Sequence, residues 1–472
     1  MTQPEAAERK WATVEVLQQH DLAELIQKKN LRALKEELQG MSAGEIAELA
    51  DELENDKAIF ILRLLPQEKA SDVFSELEPD HRDRLLQQLT DERLAELFNS
   101  MAPDDRTRVL EDLPGTVTQR LINLLSPEER RIALQLLGYP ENSVGRLMTP
   151  EYIMVRPEWT VERALRQVRE YYVKAETANV LYVVDRRGKL IGDLLLAELV
   201  IAEPDTVVET LMGERPVVAL PVDMDQEEAV EVFQKHVRVA LPVVDKEGVL
   251  LGIVTLDDVL DVAEEEATED FQKAGGVEAL EEPYLAVPFW TLVRKRAPWL
   301  VILFFSEMLT TSAMGRFEEE IQRAVILSLF VPLIISSGGN SGSQASTLII
   351  RALAVKDVAL SDWWRVMKRE LLAGLMLGVI LGGIGAIRIA LGGAFTDAYG
   401  DYWPWFAGVI FLSLMGVVLW GTFTGSMLPL LLKRVGLDPA TSSAPFVATL
   451  VDVTGIVIYF EVAAFLLSGK LL

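Results

Sequence analysis

The sequence predicts a multidomain α-helical membrane protein: a cytoplasmic helical solenoid, a tandem α/β pair, a connecting helix and five transmembrane helices. Three observations carry that prediction. At 472 residues the chain is too long for one compact core. Its charge is segregated: residues 1–280 hold 31 basic and 57 acidic side chains, the whole net charge of −26, whereas residues 281–472 hold 14 of each. That neutral part carries five apolar stretches, near 297–315, 321–350, 368–392, 404–432 and 444–467, long enough to cross a bilayer. The acidity argues against nucleic acid, whose phosphates it would repel, and admits cations as partners. With no cysteine, disulfides, thiolate metal sites and thiol nucleophiles are excluded.

Residues 1–138 make the solenoid. Short apolar-periodic segments alternate with the punctuation "LLPQE", "LEPDH", "MAPDD" and "LSPEE". Proline followed by acids suits the first turn of a helix, where an N–H is spare and the dipole favours anions. Short helices repeated in this way stack as hairpins. The first residues lack the apolar core of a signal peptide, so this part is expected in the cytoplasm.

Residues 139–203 and 204–268 are two copies of one unit. "LYVVDRRGKLIGDLLLAELV" is answered by "LPVVDKEGVLLGIVTLDDVL", with Asp185 and Asp245 offset by 60 residues. The preceding "VGRLMTPEYIMVRPEWTVERALRQVRE" is answered by "VETLMGERPVVALPVDMDQEEAVEVFQK". Each copy reads strand, helix, strand, turn, strand, helix, with the hairpin turning at Asp-x-x-Gly. The stretch "DDVLDVAEEEATED", 257–270, continues the last helix with eight acids and no base. Asp261, Glu265 and Glu269 share one face, where like charges repel by a few tenths of a kcal/mol per pair. It is either a solvated face or a divalent-cation site. Residues 269–294 then connect to the membrane, their second half as an amphipathic helix.

Residues 295–472 are the membrane domain. Basic clusters at Arg294–Arg296, between the second and third spans and at Lys433–Arg434 alternate with the acidic loops "GRFEEE" and "GGAFTDAYGDYW". The positive-inside rule therefore puts the N-terminus in the cytoplasm and, with five spans, the C-terminus outside. The second span, "VPLIISSGGNSGSQASTLII", brings Gly339, Asn340 and Gln344 to membrane depth. Broken backbone with carbonyls and hydroxyls lining a pore is expected there, the alternative being close helix packing through Gly338 and Gly342. The fifth span buries Asp452 among small residues, at roughly 2.5–3.5 kcal/mol for a bare carboxylate at a helix centre. A cation facing it would offset that cost. Oxygen donors suit a hard ion such as Mg2+, and no Cys or His lies in the membrane part to suit a soft one. His20, His81 and His236 are expected to be structural or solvated. No P-loop, nucleophile elbow or His-based metal motif occurs, so no enzyme is expected.

The repeated unit resembles a tandem pair of CBS modules. The whole chain, through "PLIISSGGNSGSQASTLIIRALA" and "DPATSSAPFVATLVDVTGIVIYF", resembles the MgtE family of magnesium channels. That resemblance implies a homodimer in the plasma (inner) membrane, in contact with lipid. Its pore would lie on the two-fold axis between the second and fifth spans, and Mg2+ would enter down its gradient. The ion site would fall on Asp452, with Gly339, Asn340, Ser343, Thr347, Ala444 and Ala448 around a hydrated ion. The resemblance further implies closure by cytosolic Mg2+ bound between acidic faces and a connecting "plug" helix. The matching positions are Asp258, Asp261, Glu266, Glu269, Asp270, Glu227, Asp72 and Asp104. CBS pairs often bind adenosine nucleotides; the positions matching an ATP site are Thr255, Glu198 and Arg238, and a family acidic position reads Val237 here. Other readings are a coupled divalent-cation transporter or exporter, and a membrane-anchored Mg2+ or nucleotide sensor without transport.

Overall fold

The computed structural model describes residues 31–213, 217–280, 284, 287–395 and 399–468. The first 30 residues of the expected solenoid, with His20, lie outside the described residues. The chain divides into two compact units, Met1–Glu264 and Glu265–Leu472.

In the first unit the solenoid is built from α1 (Leu31–Gly40), α2 (Ala43–Asp51), α3 (Asn55–Leu64), α4 (Gln67–Ser75), α5 (Pro79–Gln88), α6 (Asp91–Ser100), α7 (Pro103–Glu111), α8 (Gly115–Leu124) and α9 (Pro127–Leu136). Pro79, Pro103 and Pro127 open their helices at the first turn, as the punctuation predicts. Helices of nine or ten residues are marginal alone, so packing rather than propensity holds them. Helix α2 packs on α4, α4 on α6, α6 on α8 and α7 on α9, around a core that includes Ile61, Phe74, Leu97 and Phe98. His81 is buried there against Asp51 at 2.9 Å, a structural role.

The repeat follows: α10 (Val144–Leu147), β1 (Met154–Val155), α11 (Val161–Tyr171), β2 (Val180–Val184), β3 (Leu190–Leu195), α12 (Leu196–Ile201), α13 (Val208–Leu211), β4 (Leu220–Pro221), α14 (Gln226–His236), β5 (Ala240–Val244), β6 (Leu250–Thr255) and α15 (Leu256–Ala274). Both sheets have the same topology, a parallel pair followed by an antiparallel hairpin. The hairpins turn as the sequence predicts. Asp185 accepts from the N–H groups of Arg187 and Lys189, and Asp245 from those of Glu247 and Val249. Gly188 and Gly248 take the positive φ that closes each turn. The two hairpins bond to each other through Lys189 and Val249, so the copies form one pair.

In the second unit the membrane helices are α16 (Phe289–Arg316), then a short α17 (Glu318–Arg323), α18 (Val331–Ala354), α19 (Trp363–Phe395), α20 (Trp403–Arg434) and α21 (Ala444–Leu467). Five of the helical segments are long and apolar enough to cross a membrane. Helix α20 is the hub, packing on α18, α19 and α21.

Two expectations are corrected. The connecting segment is not one helix over 269–294. Helix α15 runs to Ala274 and stops at Gly275–Gly276, and Phe289 already begins the first membrane helix. Residues 281–283 and 285–286 between them lie outside the described residues. The second span is also unbroken: a 3-10 turn over Val325–Phe330 leads into the regular helix α18. Its Gly338 and Gly342 serve close packing. A methyl on Gly421 would sit 2.5 Å from the Gly338 carbonyl oxygen, and one on Gly425 would sit 2.1 Å from that of Gly342. Two Gly-x-x-x-Gly faces thus meet, backbone on backbone, as helices do when lipid gives no hydrophobic drive to associate.

Candidate functional site

Beside its close crossing on α20, α18 also packs on α21. Between α18 and α21 lies an open groove of about 440 Å³. Its polar lining is Ser336, Gly339, Asn340 and Asp452, with Ala448 beside them and an apolar wall of Val331, Pro332 and Ile335. A methyl on Gly339 would stand 3.3 Å from a carboxylate oxygen of Asp452, so glycine leaves that oxygen uncovered on the α18 side. The other expected residues continue the same two faces. Ser343 donates to the Ala444 carbonyl at 3.0 Å, and Thr347 donates to the Ser343 carbonyl at 2.9 Å. Their hydroxyl hydrogens are thus engaged, while oxygen lone pairs remain for water or an ion. Ser336, which accepts from the Asn340 amide at 3.3 Å, belongs to this stripe. The sequence reading passed it over, although the spacing 336, 340, 343, 347 is one face of a helix.

A second cluster lies inside the first unit, where α7 meets the start of α15. Arg108 reaches Asp258 at 3.3 Å and Asp261 at 2.7 Å. Thr255 donates to Asp258 at 2.6 Å. The acidic run that holds no base of its own is therefore served by a guanidinium 150 residues away. Asp104 is buried beside these groups. Burial, then the charges of Asp258, Asp105 and Glu176, push its carboxyl well above the usual range. Burial lifts Asp105 and Asp258 to about 6 each, against the pull of Arg108. Glu176 rises to about 7 by burial and the same two aspartates. Asp72 on α4 and Glu76 at its C-cap, both exposed, are raised as well, desolvation being the main cause.

The remaining expected residues fall elsewhere. Glu227 sits in the first turn of α14. Glu266, Glu269 and Asp270 lie on the part of α15 that belongs to the second unit, with Glu269 paired to Lys273. Asp105, Arg108 and Glu176 were missed. Asp105 lies in the motif "MAPDD", of which the resemblance matches only Asp104 to an acidic position of the family, and Glu176, in the loop after α11, carries no local signal.

The two CBS-like copies enclose a cleft of about 210 Å³ lined by Tyr182, Asp193, Val237, Arg238 and backbone-near apolar groups. Of the three positions matching an ATP site, only Arg238 lines it, and it is held by Asp193 at 3.5 Å. Glu198 instead caps its own helix, accepting from the Leu195 N–H at 2.9 Å, and Thr255 serves Asp258.

Comparison with known proteins matches this arrangement in order. The model of the MgtE intracellular N domain covers residues 41–142, the CBS domain model covers 144–204 and 208–265, and the model described as a divalent cation transporter covers 331–462. The magnesium transporter MgtE of Thermus thermophilus is 40% identical over 451 residues, 95% of this chain and 98% of that protein. That of Enterococcus faecalis is 34% identical over 333 residues, 70% of each chain. A crystal structure of the soluble part of a magnesium transporter superposes with a TM-score of 0.51 at 27% identity, covering 54% of this chain and 99% of that one. With all its domains matched in order and an alignment running nearly end to end, the chain belongs to the MgtE family of magnesium transporters.

Proposed function

We propose that the chain is a Mg2+ channel of the plasma membrane that admits the ion to the cytoplasm and closes when cytosolic Mg2+ rises. The observation that carries this is the groove between α18 and α21: an open, polar-striped channel half with one carboxylate, Asp452, at its wall. A second copy facing the first would close the groove and bring a second Asp452, giving two negative charges to one divalent ion. The first span supports a partner or lipid cover, since only 6% of its apolar window is buried within the chain. Mg2+ sheds water reluctantly, so hydroxyls and carbonyls along Asn340, Ser343, Thr347, Ala444 and Ala448 would hold its water shell. A potential negative inside drives a doubly charged ion inward by about 4.6 kcal/mol per 100 mV.

Closure would use the acidic cluster. Its donors are carboxylate oxygens, the set a hard cation takes. Asp104, Asp105, Asp258 and Glu176 are crowded enough that burial already favours their neutral forms, so a cation that relieves the crowding favours the compact arrangement. Among the described residues that line the cleft of the CBS pair, Arg238 is the one cationic side chain, and it is paired with Asp193; Mg2+ rather than ATP is the regulator in this reading.

The test is ion flux into liposomes holding the full chain, with Mg2+, Mn2+, Co2+ and Ni2+ in turn. Asp452→Asn is expected to abolish Mg2+ flux while the protein elutes as the wild type does. Undiminished flux would show that Asp452 is not the ion site, and a wild type without flux would leave a sensor without transport. Single-channel currents with the wild type would exclude an obligate exchanger.

A further inference from the structure

Within the second unit, the tail of α15 is fastened to the start of the pore-side helix α21, and one residue sits at the centre of the fastening. Gly276, just past the end of α15, has φ +74 and lies against the indole of Trp299, where an added methyl would come within 2.4 Å of the ring. Trp299, in the third turn of α16, donates its indole N–H to the Ser443 hydroxyl at 3.1 Å. Ser443 is fully buried and is the N-cap of α21, accepting from the Phe446 N–H. The Trp299 ring stacks on Phe446 with centroids 6.2 Å apart and planes 29° apart. A second tie runs parallel: Lys273 pairs with Asp438 at 2.9 Å, and Asp438 accepts from the Ala440 N–H at 2.8 Å in the turn before α21.

The same short segment is stapled to the other wall of the groove. Ser346 donates to the Ser442 carbonyl at 2.9 Å, and Ser343 to the Ala444 carbonyl. Residues 438–446 therefore stand between the end of α15 on one side and both groove helices on the other.

We propose that Trp299 is a positioning residue that transmits the place of the α15 end to the N-terminus of α21, and so sets the width of the groove at that end. This rests on the reading of the groove as a Mg2+ path closed by cytosolic Mg2+. Trp299 touches no groove-lining side chain; it acts through Ser443 and Phe446. Removing its N–H weakens the tie between the end of α15 and the N-terminus of α21, while the Lys273–Asp438 pair and the stacking on Phe446 remain.

Two responses to Mg2+ are measured on the full chain in liposomes with the soluble part outward: flux, and protection of residues 31–264 from added protease. In the wild type both change over one Mg2+ range. Trp299→Phe keeps the stacking and removes one hydrogen bond; the concentration that closes flux is expected to rise about three- to tenfold. Protease protection stays at the wild-type concentration, and so does flux at low Mg2+. Gly276→Ala, which drives a methyl against the Cδ1–Nε1 edge of the indole, is expected to do the same and decides the matter if Trp299→Phe does not fold. Flux that closes at the wild-type concentration overturns the proposal. So does a shift of protection equal to the shift of flux, since that marks a merely structural role. A wild type with no flux, or with flux that Mg2+ never closes, overturns the channel reading itself and the coupling with it.

Discussion

Arg108 is a fixed cation standing among the carboxylates to which the proposed closure assigns a divalent ion. Its side chain is about a third exposed, and it reaches Asp258 and Asp261 at once. Pairs of that exposure contribute on the order of 1 kcal/mol or less. It nevertheless bears on the resting state of the cluster, because removing it takes a positive charge from beside Asp105, Asp258 and Asp261. Arg108→Gln is expected to loosen α7 from α15 in Mg2+-free buffer and to enlarge the gain in protease protection when Mg2+ is added. Equal susceptibility of wild type and variant without Mg2+ would remove Arg108 from the account. Asp452 obeys a similar economy of charge: one carboxylate on the groove wall, uncovered because Gly339 opposite has no side chain.

At the scale of elements, two contacts carry testable energetics. The crossing of α18 on α20 is a backbone contact, so Gly425→Ala has nowhere to put its methyl. Overpacking against yielding side chains costs about 1–3 kcal/mol, and a carbonyl oxygen yields less. The variant is expected to lower the thermal midpoint in detergent by several degrees or to fail to fold. Gly383→Ala on α19, where a methyl meets nothing within 4 Å, is expected to leave it unchanged. The contact of α7 with α15 depends on pH. Asp105, Asp258 and Glu176 have raised values in the folded state, about 6, 6 and 7, against ordinary values near 4. A raised carboxyl stabilises the fold below its ordinary value and loses that contribution as pH rises through the folded one. The Mg2+-free contact is therefore expected to loosen between about pH 5 and 8, and Mg2+ is expected to restore it at pH 8. Limited proteolysis of the full chain across that range reads both effects; a flat profile without Mg2+ would contradict them.

For the whole molecule, the groove makes the decisive prediction. On the proposed reading the groove between α18 and α21 is half of a channel, and a second copy would supply the other wall and a second Asp452. Because the chain has no cysteine, one introduced thiol reports alone. Asn340→Cys, on the groove, is expected to give a disulfide-linked dimer in membranes on mild oxidation. Gly383→Cys, whose surroundings are open, is expected to stay monomeric on denaturing gels. Dimers through Gly383 and none through Asn340 would place the partner on another face.

The sequence by itself determined the order of domains, the solenoid helices, the tandem repeat with its hairpins and the five spans. All of these rest on local rules: proline at a helix start, alternation in a strand, an Asp closing its own turn, an apolar run matched to a bilayer. It also singled out Asp452, because a lone carboxylate in an apolar helix is costly wherever it lies. Only the tertiary structure decided which glycines pack and which leave space: neighbours in sequence, Gly338 lies against Val417 and Val451 while Gly339 lies beside the Asp452 carboxylate. It alone joined Arg108 to an acidic run 150 residues away, and Trp299 to the N-cap of α21. A charge pair or an indole hydrogen bond across such separations leaves no periodic trace, because its partners are brought together by the folding of everything between them.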